Sequence, residues 1–414
     1  MIVKITPFTA CGQIVAPPSK SVAHRLLIAS ALKKGVTVIK NVGDSADVIA
    51  TCNCLNSLGA KVSIKDGNAT VEGIGSVSKG KILDCNESGS TLRFLLSVSC
   101  ALFANATFTG SAKLLSRPND ALLSELKNHG ISVDKWTLSG QLKGGRFFID
   151  AAISSQYITG LLLALPILKE DSEIVLQGKV VSKDYINITL SVLEKAGVQY
   201  QKSGNSIIIK GNQEYLLPDE VVCEGDWSGS AFPLVLGAIG GEVSIKGLDE
   251  NSRQGDKEIL SILKKAGADV KVDDDLITVR RGSLKAFKQD FDNIPDLAPV
   301  CAVLASACEG ESVFTGVERL KIKESDRIQT TLAVLHSAGI YATVKDGKII
   351  ITGGKAQGGV FDGANDHRIV MASAVISSIA NGQSVINGSQ AIVKSYPDFF
   401  KDYKKLGGNA DVYV

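Results

Sequence analysis

The 414-residue sequence predicts an α/β protein built from six copies of one unit of about 70 residues, three in each of two lobes. The main observation is a recurring pattern, in which a Leu-rich helical stretch ends near a glycine and is followed by alternating apolar residues. The six glycines of this pattern are Gly59, Gly130, Gly197, Gly267, Gly339 and Gly407. The second observation is length, because a chain of this size is expected to divide into domains of roughly 200 residues.

Each unit mixes two helices with several strands in a βαβαββ-like order. The clearest copies end in hairpins, at residues 270–280 with a turn at 273–275 and at residues 340–352 with a turn at 345–347. A further helix in each unit is predicted to begin at a polar cluster. These clusters lie at residues 19–21, 87–90, 154–156, 226–228, 295–296 and 365–367.

Two segments are typical of connectors between lobes: Pro17-Pro18, and residues 216–225 with Pro218 and several acids. If the chain crosses at both, the N-terminal strand belongs with the C-terminal lobe. We therefore expect one lobe from residues 1–13 plus 225–414, a second from 14–224, and a ligand site in the cleft between them.

Composition excludes several classes of protein. Lys plus Arg number 45 against 43 Asp plus Glu, which argues against a nucleic-acid or membrane-binding surface. The first residues lack the pattern of a signal peptide, and the longest apolar segment, 157–168, is too short to span a bilayer. The eight cysteines, from Cys11 to Cys308, lack metal-site spacing and are interpreted as buried thiols. We expect a cytoplasmic protein, and a monomer.

The densest charged segment is residues 319–329, where Lys323, Glu324 and Arg327 precede a helical pattern. We predict Glu324 or Ser325 as the N-cap, with first-turn amides able to bind an anion. A solvated surface helix would also explain this segment if it stood alone. Similar helix starts elsewhere favour a ligand site.

One of these starts follows Pro18, where Lys20, Ser21 and Arg25 are placed to bind a phosphate or carboxylate. A Ser-Lys nucleophile pair is the alternative, but the Ser-x-x-Lys spacing is absent from this cluster. At another start, Gly89 would let a ligand approach the backbone.

More polar residues accompany these two helix starts. Arg93 comes one turn after Gly89, and Lys113 and Arg117 follow in what reads as a loop. Neutral donors cluster at residues 154–156, and residues 182–185 add further polar groups. Read singly, each is also an ordinary helix cap.

Cationic helix starts thus recur in both halves of a chain that is nearly neutral overall. They are best explained by one cleft that binds small, multiply anionic ligands. Asp296 and Glu324 lie among these cations, a position that suits proton transfer.

Over nearly the whole chain, these residues resemble the ordered motifs of the 5-enolpyruvylshikimate-3-phosphate (EPSP) synthase family. The motifs are Lys20-Ser21 with Arg25, Gly89-Ser-x-x-Arg93, Arg117-Pro118, Ser154-Ser-Gln156, Pro295-Asp296, Lys323-Glu-Ser-Asp-Arg327, Asp366-His-Arg368 and Lys394-Ser-Tyr-Pro-Asp398. The resemblance implies a two-lobed inside-out α/β barrel. It also implies transfer of the enolpyruvyl group of phosphoenolpyruvate to the 5-hydroxyl of shikimate 3-phosphate, without metal or cofactor.

The resemblance also implies roles for individual residues. Shikimate 3-phosphate would be held by Lys20, Ser21, Arg25, Ser154, Ser155, Gln156, Ser182, Tyr185, Asp296, Arg319 and Lys323. Phosphoenolpyruvate would be held by Lys20, Gly89, Arg117, Gln156, Arg327, Arg368 and Lys394, with Arg93 as a supporting cation. Glu324 would be the proton donor, Asp296 the acceptor, and Lys20 a relay or stabilising charge.

Three positions depart from the family pattern: Glu87 stands where Asn is common, Lys113 where Arg is usual, and Arg319 where Asn is frequent. Because Lys lacks the bidentate fork of Arg, we expect altered affinity and not a different reaction.

Two alternatives remain. The sister enolpyruvyl transferase acting on a UDP-sugar has Asn after its first lysine and a reactive loop cysteine, whereas this chain has Ser21 and no Cys in residues 110–118. A non-catalytic binder of anionic metabolites would keep the cations but lose proton transfer, yet Asp296 and Glu324 are both present. The resemblance also implies inhibition by glyphosate, because Gly89 is small.

Overall fold

The computed structural model describes residues 1–152 and 154–413, which contain 24 strands, 13 α-helices and five short 3₁₀ segments. The strands are β1 (Ile2–Thr6), β2 (Ala10–Val15), β3 (Val36–Lys40), β4 (Lys61–Lys65), β5 (Asn68–Glu72), β6 (Ile82–Asp84), β7 (Ala106–Thr109), β8 (Ile131–Asp134), β9 (Thr137–Gly140), β10 (Gly145–Asp150), β11 (Ser172–Gln177), β12 (Tyr200–Ser203), β13 (Ser206–Ile209), β14 (Glu220–Val222), β15 (Gly241–Lys246), β16 (Asp269–Asp273), β17 (Leu276–Arg280), β18 (Lys288–Asp290), β19 (Glu311–Thr315), β20 (Ala342–Lys345), β21 (Lys348–Thr352), β22 (Val360–Asp362), β23 (Ser384–Asn387) and β24 (Asn409–Tyr413). The α-helices are α1 (Lys20–Leu32), α2 (Ala46–Leu58), α3 (Gly89–Ala101), α4 (Ala112–Leu115), α5 (Asp120–Asn128), α6 (Ser155–Ala164), α7 (Lys183–Lys195), α8 (Trp227–Gly240), α9 (Ile259–Ala266), α10 (Ala298–Ser306), α11 (Arg327–Ser337), α12 (His367–Ser377) and α13 (Phe399–Lys405). The 3₁₀ segments are Leu165–Ile167, Gly255–Glu258, Pro295–Leu297, Glu318–Ile322 and Ser389–Lys394.

Within the described residues the strands form six four-stranded sheets that share one topology. In each sheet the first two strands are parallel, and the third and fourth are added antiparallel. The orders are β14-β3-β5-β4, β6-β7-β9-β8, β10-β11-β13-β12, β2-β15-β17-β16, β18-β19-β21-β20 and β22-β23-β1-β24. The predicted sixfold repeat is therefore confirmed, and both predicted hairpins are present as β16–β17 and β20–β21.

The chain divides into two compact units. Unit 1 comprises Met1–Pro17 and the chain from Glu224 onward, and unit 2 comprises Pro18–Cys223. β1 pairs with β23 and β24, and β2 pairs with β15 through residue 15, so the first two strands are part of unit 1. Each unit contains three of the six sheets, which confirms the predicted α/β class with three repeats per unit.

Each unit is centred on three helices that are buried almost completely. In unit 2 these are α1, α3 and α6, and in unit 1 they are α8, α10 and α12. After their first two turns these helices carry no charged side chain, so they can be surrounded by apolar groups. The strands bury alternate residues, with one sheet face toward these helices and the other toward solvent. This is the inside-out arrangement that the resemblance implies.

The glycines of the repeat end the outer, half-exposed helices. All six have a positive φ, between 71° at Gly197 and 111° at Gly59. Gly59 and Gly267 are themselves the C-cap residues of α2 and α9. Since only glycine adopts this conformation without a steric cost, the periodic glycine is a reliable sequence marker of each repeat.

The predicted N-cap of α11 is wrong. Asp326 caps this helix, and its Oδ1 accepts hydrogen bonds from the amides of Ile328 at 3.1 Å and Gln329 at 3.2 Å. Glu324 and Ser325 are engaged elsewhere, because they contact His367 and Asp366. A short Asp side chain directly before the first helical residue reaches the first-turn amides best.

Two smaller expectations are also wrong. Lys113 lies in the short helix α4 and not in a loop, because Ser111 accepts a hydrogen bond from the Leu114 amide and starts a helical turn. Cys11 is exposed while the other seven cysteines are buried. It lies on the edge strand β2, where alternate side chains face solvent.

No helix in residues 1–152 or 154–413 combines the length and apolar character needed to cross a membrane.

The glycine that follows β21 passes very close to the end of a central helix. A β-carbon added at Gly353 would overlap the Cys308 carbonyl oxygen just after α10. The glycine that follows β5, Gly73, makes the same approach to the Lys33 carbonyl oxygen after α1. The hairpin therefore packs against the helix end through a residue that has no side chain.

We predict that Gly353→Ala destabilises unit 1 by about 2 kcal/mol or more, because either the hairpin or the helix end must shift. Thermal unfolding followed by circular dichroism should show a midpoint lower by about 5 °C. Gly354→Ala is the matched control, because its new methyl group would lie 3.4 Å from the flexible Ile340 Cδ1. Equal midpoints for the two variants would contradict the prediction.

Candidate active site

In unit 1 the predicted site residues are organised around Arg327, the first residue of α11. Its Nε and Nη2 donate to Asp366 Oδ2 and Oδ1 at 2.8 and 3.1 Å, and its Nη1 donates to Asp296 Oδ1 at 2.6 Å. Burial lowers the pKa of Arg327, but Asp366 and Asp296 outweigh burial and raise it above the usual value. The guanidinium therefore stays charged and joins two acids from different elements.

Asp366 is the fully buried N-cap of α12. Its Oδ1 accepts from the Arg368 amide at 3.0 Å, and its Oδ2 accepts from the Ser325 hydroxyl at 2.9 Å. Burial raises the pKa of Asp366, but the Arg327 charge outweighs this effect and holds it below the usual range. One carboxylate thus fixes the starts of both α11 and α12.

Asp296 lies in the 3₁₀ segment Pro295–Leu297 and is surrounded by cations. Besides Arg327, Arg368 Nη2 donates to its Oδ2 at 3.1 Å, and Lys323 Nζ lies 3.4 Å from its Oδ1. Burial lowers the pKa of Lys323 to about 8, although the Asp296 charge opposes this shift. Asp296 and Lys323 are only partly buried, whereas Arg327 and Arg368 are buried.

Glu324 contacts a histidine that the sequence analysis did not assign. Its Oε2 lies 2.9 Å from Nδ1 of His367, the first residue of α12. Ligand atoms of Glu324, His367 and Asp366 lie within 4.8 Å of one another, the spacing of a possible cation site. Both Asp366 oxygens already accept from Arg327, so we interpret this group as an ion-pair and hydrogen-bond network.

Two more predicted cations belong to unit 1. Lys394, at the end of the 3₁₀ segment Ser389–Lys394, is buried and donates to the Asn365 carbonyl oxygen at 2.6 Å. This places it beside the start of α12. Arg319 lies in the segment Glu318–Ile322, and its charge is one of those that lower the pKa of Lys323.

In unit 2, Lys20 is the first residue of α1 and is half-buried. Its Nζ lies 2.8 Å from Asp47 Oδ2 at the start of α2, and Asp47 is buried. The lysine head group is thus held at the helix start by one carboxylate. Ser21 follows Lys20 and is also half-buried.

Arg25 connects three helices of unit 2. It donates to Thr189 Oγ1 at 2.8 Å, to Thr159 Oγ1 at 3.2 Å and to the Tyr185 carbonyl oxygen at 3.1 Å. It also donates to the Ser21 carbonyl oxygen at 2.6 Å. Burial lowers the pKa of Arg25 to about 9, so the guanidinium is still charged at neutral pH. Most of its donors hold protein groups, which makes it a structural cation as well as a candidate ligand.

Burial, with the charges of Lys20 and Arg25, lowers the pKa of the neighbouring His24 well below its usual value. His24 is therefore neutral at physiological pH. Its Nδ1 lies 2.7 Å from Thr51 Oγ1 in the core between α1 and α2. This histidine is a core residue and not a candidate acid.

Gln156 connects the starts of α6 and α3. Its Oε1 accepts from Arg93 Nη1 at 2.7 Å, and its Nε2 donates to Ser90 Oγ at 3.0 Å. Arg93 is held further by Asn119 Oδ1 at 3.1 Å and the Pro118 carbonyl oxygen at 3.2 Å.

Gly89 is the first residue of α3 and adjoins this group. A β-carbon added there would lie 3.0 Å from Arg117 Nη1. The glycine leaves room in front of two guanidinium groups, those of Arg117 and Arg93.

The remaining predicted residues of unit 2 lie at the starts of α6 and α7. Ser154 caps α6 by accepting from the Gln156 amide at 3.3 Å, and Ser155 is buried beside it. Ser182 precedes α7 with a positive φ of 53°, a conformation that a non-glycine residue rarely adopts. Tyr185 follows in the first turn and is half-buried.

Comparison with known proteins shows the family to which the chain belongs. Residues 7–403 match the sequence model of the family described as EPSP synthase (3-phosphoshikimate 1-carboxyvinyltransferase). The chain belongs to the EPSP synthase family. A 3-phosphoshikimate 1-carboxyvinyltransferase from Clostridium novyi is 39% identical over 99% of this chain and 98% of that protein, and one from Methanocorpusculum labreanum is 36% identical over 96% of each.

Solved structures agree with the family assignment. An EPSP synthase from Acinetobacter baumannii superposes with a TM-score of 0.84 at 25% identity, covering 99% of this chain and 100% of that one. The enolpyruvyl transferase NikO from Streptomyces tendae has a TM-score of 0.82 at 16% identity over 99% and 98% of the two chains. At 16% identity, the similarity to NikO is evidence for a shared fold only.

Within this EPSP synthase family member, the structure brings most predicted residues of each unit into direct contact with one another. The partners that sequence reasoning missed include Asp47, Asn119 and His367. The sequence did contain a signal for His367, because it directly follows the helix-capping Asp366 in the motif Asp366-His-Arg368. The sequence contained no such signal for Asp47 or Asn119, because their partners are 27 and 26 residues away along the chain.

We predict that Asp366→Asn destabilises unit 1 by about 3 kcal/mol, because it leaves the buried Arg327 charge without its bidentate partner. The midpoint of thermal unfolding measures the effect. Asp326→Asn is the control, since Asn caps a helix about as well as Asp and should cost less than about 0.5 kcal/mol. If both variants unfold at the wild-type temperature, the Arg327–Asp366 pair does not have this role.

Proposed function

We propose that this chain transfers the enolpyruvyl group of phosphoenolpyruvate to the 5-hydroxyl of shikimate 3-phosphate, giving EPSP and phosphate for aromatic amino acid biosynthesis. Membership of the EPSP synthase family supports this reaction. The observation that carries the proposal is the cluster in unit 1, where Lys323, Arg327 and Arg368 surround Asp296. We further propose that the enzyme acts as a monomer in the cytoplasm.

Both units supply binding residues in this proposal. Shikimate 3-phosphate contacts Lys20, Ser21, Arg25, Ser154, Ser155, Gln156, Ser182, Tyr185, Asp296, Arg319 and Lys323. Phosphoenolpyruvate contacts Lys20, Gly89, Arg117, Gln156, Arg327, Arg368 and Lys394. Their cations and hydroxyls match two substrates that carry phosphate and carboxylate groups.

Glu324 is the proposed proton donor. Addition of an alcohol to carbon 2 of phosphoenolpyruvate requires a proton on the neighbouring methylene carbon. Glu324 is half-buried, and its Oε2 lies 2.9 Å from His367 Nδ1. The histidine orients the carboxyl group and links it to a second ionisable group.

Asp296 is the proposed acceptor of the proton from the attacking hydroxyl. Its oxygens accept hydrogen bonds from Arg327 and Arg368. An anionic substrate that binds these two guanidinium groups would compete for them. The carboxylate would then be more available as a base when the substrate is bound.

After addition, the tetrahedral intermediate carries both a phosphate and a carboxylate. Arg327, Arg368, Arg117 and Lys394 are proposed to hold these anions until the carbon–oxygen bond to phosphate breaks. Arg327 is well suited to this role, because Asp366 fixes two of its nitrogens and leaves Nη1 directed at Asp296. Lys20, held by Asp47, adds a positive charge that stabilises either substrate.

The three departures from the family pattern are consistent with an altered affinity for the substrates. Lys113 is exposed on α4, and Glu87 is half-buried just before the cap of α3. Arg319 places a positive charge near Lys323. That charge gives a phosphate an ionic contact at a position where the family frequently has the side-chain amide of Asn.

Phosphate release from phosphoenolpyruvate, measured with and without shikimate 3-phosphate in the presence of a metal chelator, tests the reaction. Release that requires shikimate 3-phosphate supports it. Release only with UDP-N-acetylglucosamine would assign the chain to the sister reaction. Binding of both anions without any release would instead favour a binding protein.

We predict that Glu324→Gln binds both substrates but lowers kcat by about 10²- to 10⁴-fold, the usual contribution of a general acid. Rapid-quench measurement of phosphate release and calorimetric binding of shikimate 3-phosphate separate the two effects. Glu318→Gln, at an exposed position of the preceding 3₁₀ segment, is the control and should turn over normally. Near-normal turnover of Glu324→Gln would remove Glu324 from the acid role.

We predict that Gly89→Ala raises the KM for phosphoenolpyruvate by about tenfold, because the methyl group lies 3.0 Å from Arg117 Nη1 and crowds an anion there. The KM for shikimate 3-phosphate should change much less. Gly75→Ala is the control, since a β-carbon there meets open space. The family resemblance also leads us to expect inhibition by glyphosate, which is measured on the same proteins. Full activity of the wild-type protein at saturating glyphosate would contradict that expectation.

A further inference from the structure

Asn119 stands at the N-cap position of α5, yet its side chain does not cap that helix. Its backbone carbonyl oxygen accepts from the Leu123 amide at 3.0 Å, as expected at a helix start. Among the described residues, no first-turn amide donates to its side chain, although the residue is 3% exposed. Asn is one of the best helix caps, so a buried Asn that is used differently needs an explanation.

The two polar atoms of the Asn119 side chain join two arginines of the candidate site. Its Oδ1 accepts from Nε of Arg93, in α3, at 3.1 Å. Its Nδ2 donates to the backbone carbonyl oxygen of Arg117 at 2.8 Å. One buried side chain therefore connects the guanidinium group of Arg93 with the backbone that carries Arg117.

Pro118, between these two residues, is held by the same neighbours. Its carbonyl oxygen accepts from Arg93 Nη2 at 3.2 Å and from the Tyr157 hydroxyl at 2.5 Å. Tyr157 lies in α6 and is buried, and the centre of its ring is 5.6 Å from Arg93 Cζ. The proline ring also fixes the backbone φ angle at this position. Groups from α3 and α6 thus hold the segment from Arg117 to Asn119 in place.

Arg117 depends on this backbone anchoring because its own side chain is not held by an acid. Within residues 1–152 and 154–413, no carboxylate pairs with its guanidinium group, and its buried Nε has no hydrogen-bond partner. Arg327, in contrast, is held by Asp366. The backbone of Arg117 is fixed at its amide, which donates to the Leu114 carbonyl oxygen at 3.2 Å, and at its carbonyl oxygen by Asn119. The place of the guanidinium group therefore follows from the place of the backbone.

Gly89 marks a space that the guanidinium groups of Arg117 and Arg93 share. A β-carbon added at Gly89 would lie 3.0 Å from Arg117 Nη1 and 3.9 Å from Arg93 Nη1. An anion beside this glycine can therefore meet donors from both arginines. Asn119 contacts both of these residues, so it sets the position of one relative to the other.

We propose that Asn119 is a positioning residue for the binding of phosphoenolpyruvate. It fixes the backbone of Arg117 against Arg93, so that the Arg117 guanidinium group is in place before the substrate arrives. The inference rests on the proposed function, in which Arg117 binds phosphoenolpyruvate. It gives a role to a residue whose side chain contacts the binding residues and is not itself a proposed substrate contact.

The test compares the KM values of wild type and Asn119→Ser for the two substrates. Ser caps helices about as well as Asn, so α5 keeps its start, but one hydroxyl cannot replace both contacts to Arg93 and Arg117. The KM for phosphoenolpyruvate is expected to rise about tenfold, because Arg117 is no longer held in its binding position. The KM for shikimate 3-phosphate should change much less. Asn128→Ser, at the exposed last residue of the same helix, is the matched control and should have wild-type values.

A double-mutant cycle shows whether Asn119 acts through Arg117. In Arg117→Ala the side chain that Asn119 positions is absent. Adding Asn119→Ser to that variant should therefore raise the KM for phosphoenolpyruvate by less than about twofold. A loss of stability alone would not produce this dependence on Arg117.

The inference is overturned if Asn119→Ser has the wild-type KM for phosphoenolpyruvate, if both KM values rise equally, or if its effect and that of Arg117→Ala multiply. If Asn119→Ser does not fold, Tyr157→Phe decides, because it removes only the hydroxyl bond to the Pro118 carbonyl oxygen. A rise of about threefold in the KM for phosphoenolpyruvate then supports the inference, and an unchanged KM overturns it. Absence of turnover by the wild-type enzyme is a separate result that contradicts the proposed function itself.

Discussion

The central helices of each unit are buried on every side, and this constraint decides where chemistry can lie. A charged side chain in the middle of such a helix would have no partner and no water. Charged side chains are therefore confined to the first two turns, as with Lys20 and Arg25 in α1, Arg93 in α3 and Arg368 in α12. Because the helix starts also present free backbone amides, the same ends that tolerate polar residues favour anions.

The cations of the candidate site have structural partners as well as a proposed catalytic task. Arg327 is held by Asp366, Lys20 by Asp47 and Arg93 by Gln156, so each is fixed in position before any ligand arrives. A buried ion pair adds little net stability compared with apolar packing, but it is costly to break. We interpret these pairs as preorganisation, since a cation already oriented by a carboxylate loses little freedom when it binds an anion.

The two units have the same repeat architecture but contribute different chemistry. All six sheets have one topology, yet the polar groups at the central helix starts differ between units. Unit 2 presents hydroxyls, an amide and cations such as Lys20, which pairs with Asp47, whereas unit 1 presents Asp296 in contact with three cations. The two groups proposed to transfer protons, Glu324 and Asp296, thus both belong to unit 1.

The sequence by itself determined the repeat, the α/β class and most of the candidate residues, because glycines with positive φ, hairpin turns and helix caps are local signals. It failed where the deciding contact is distant in the chain. Glu324 and Ser325 were expected to cap α11, but tertiary contacts to His367 and Asp366 engage them, and Asp326 takes the cap. Only the tertiary structure paired Lys20 with Asp47 and Arg93 with Asn119, since these pairs join segments 27 and 26 residues apart. Local propensity carries no information about such partners, which the packing of helices and sheets selects.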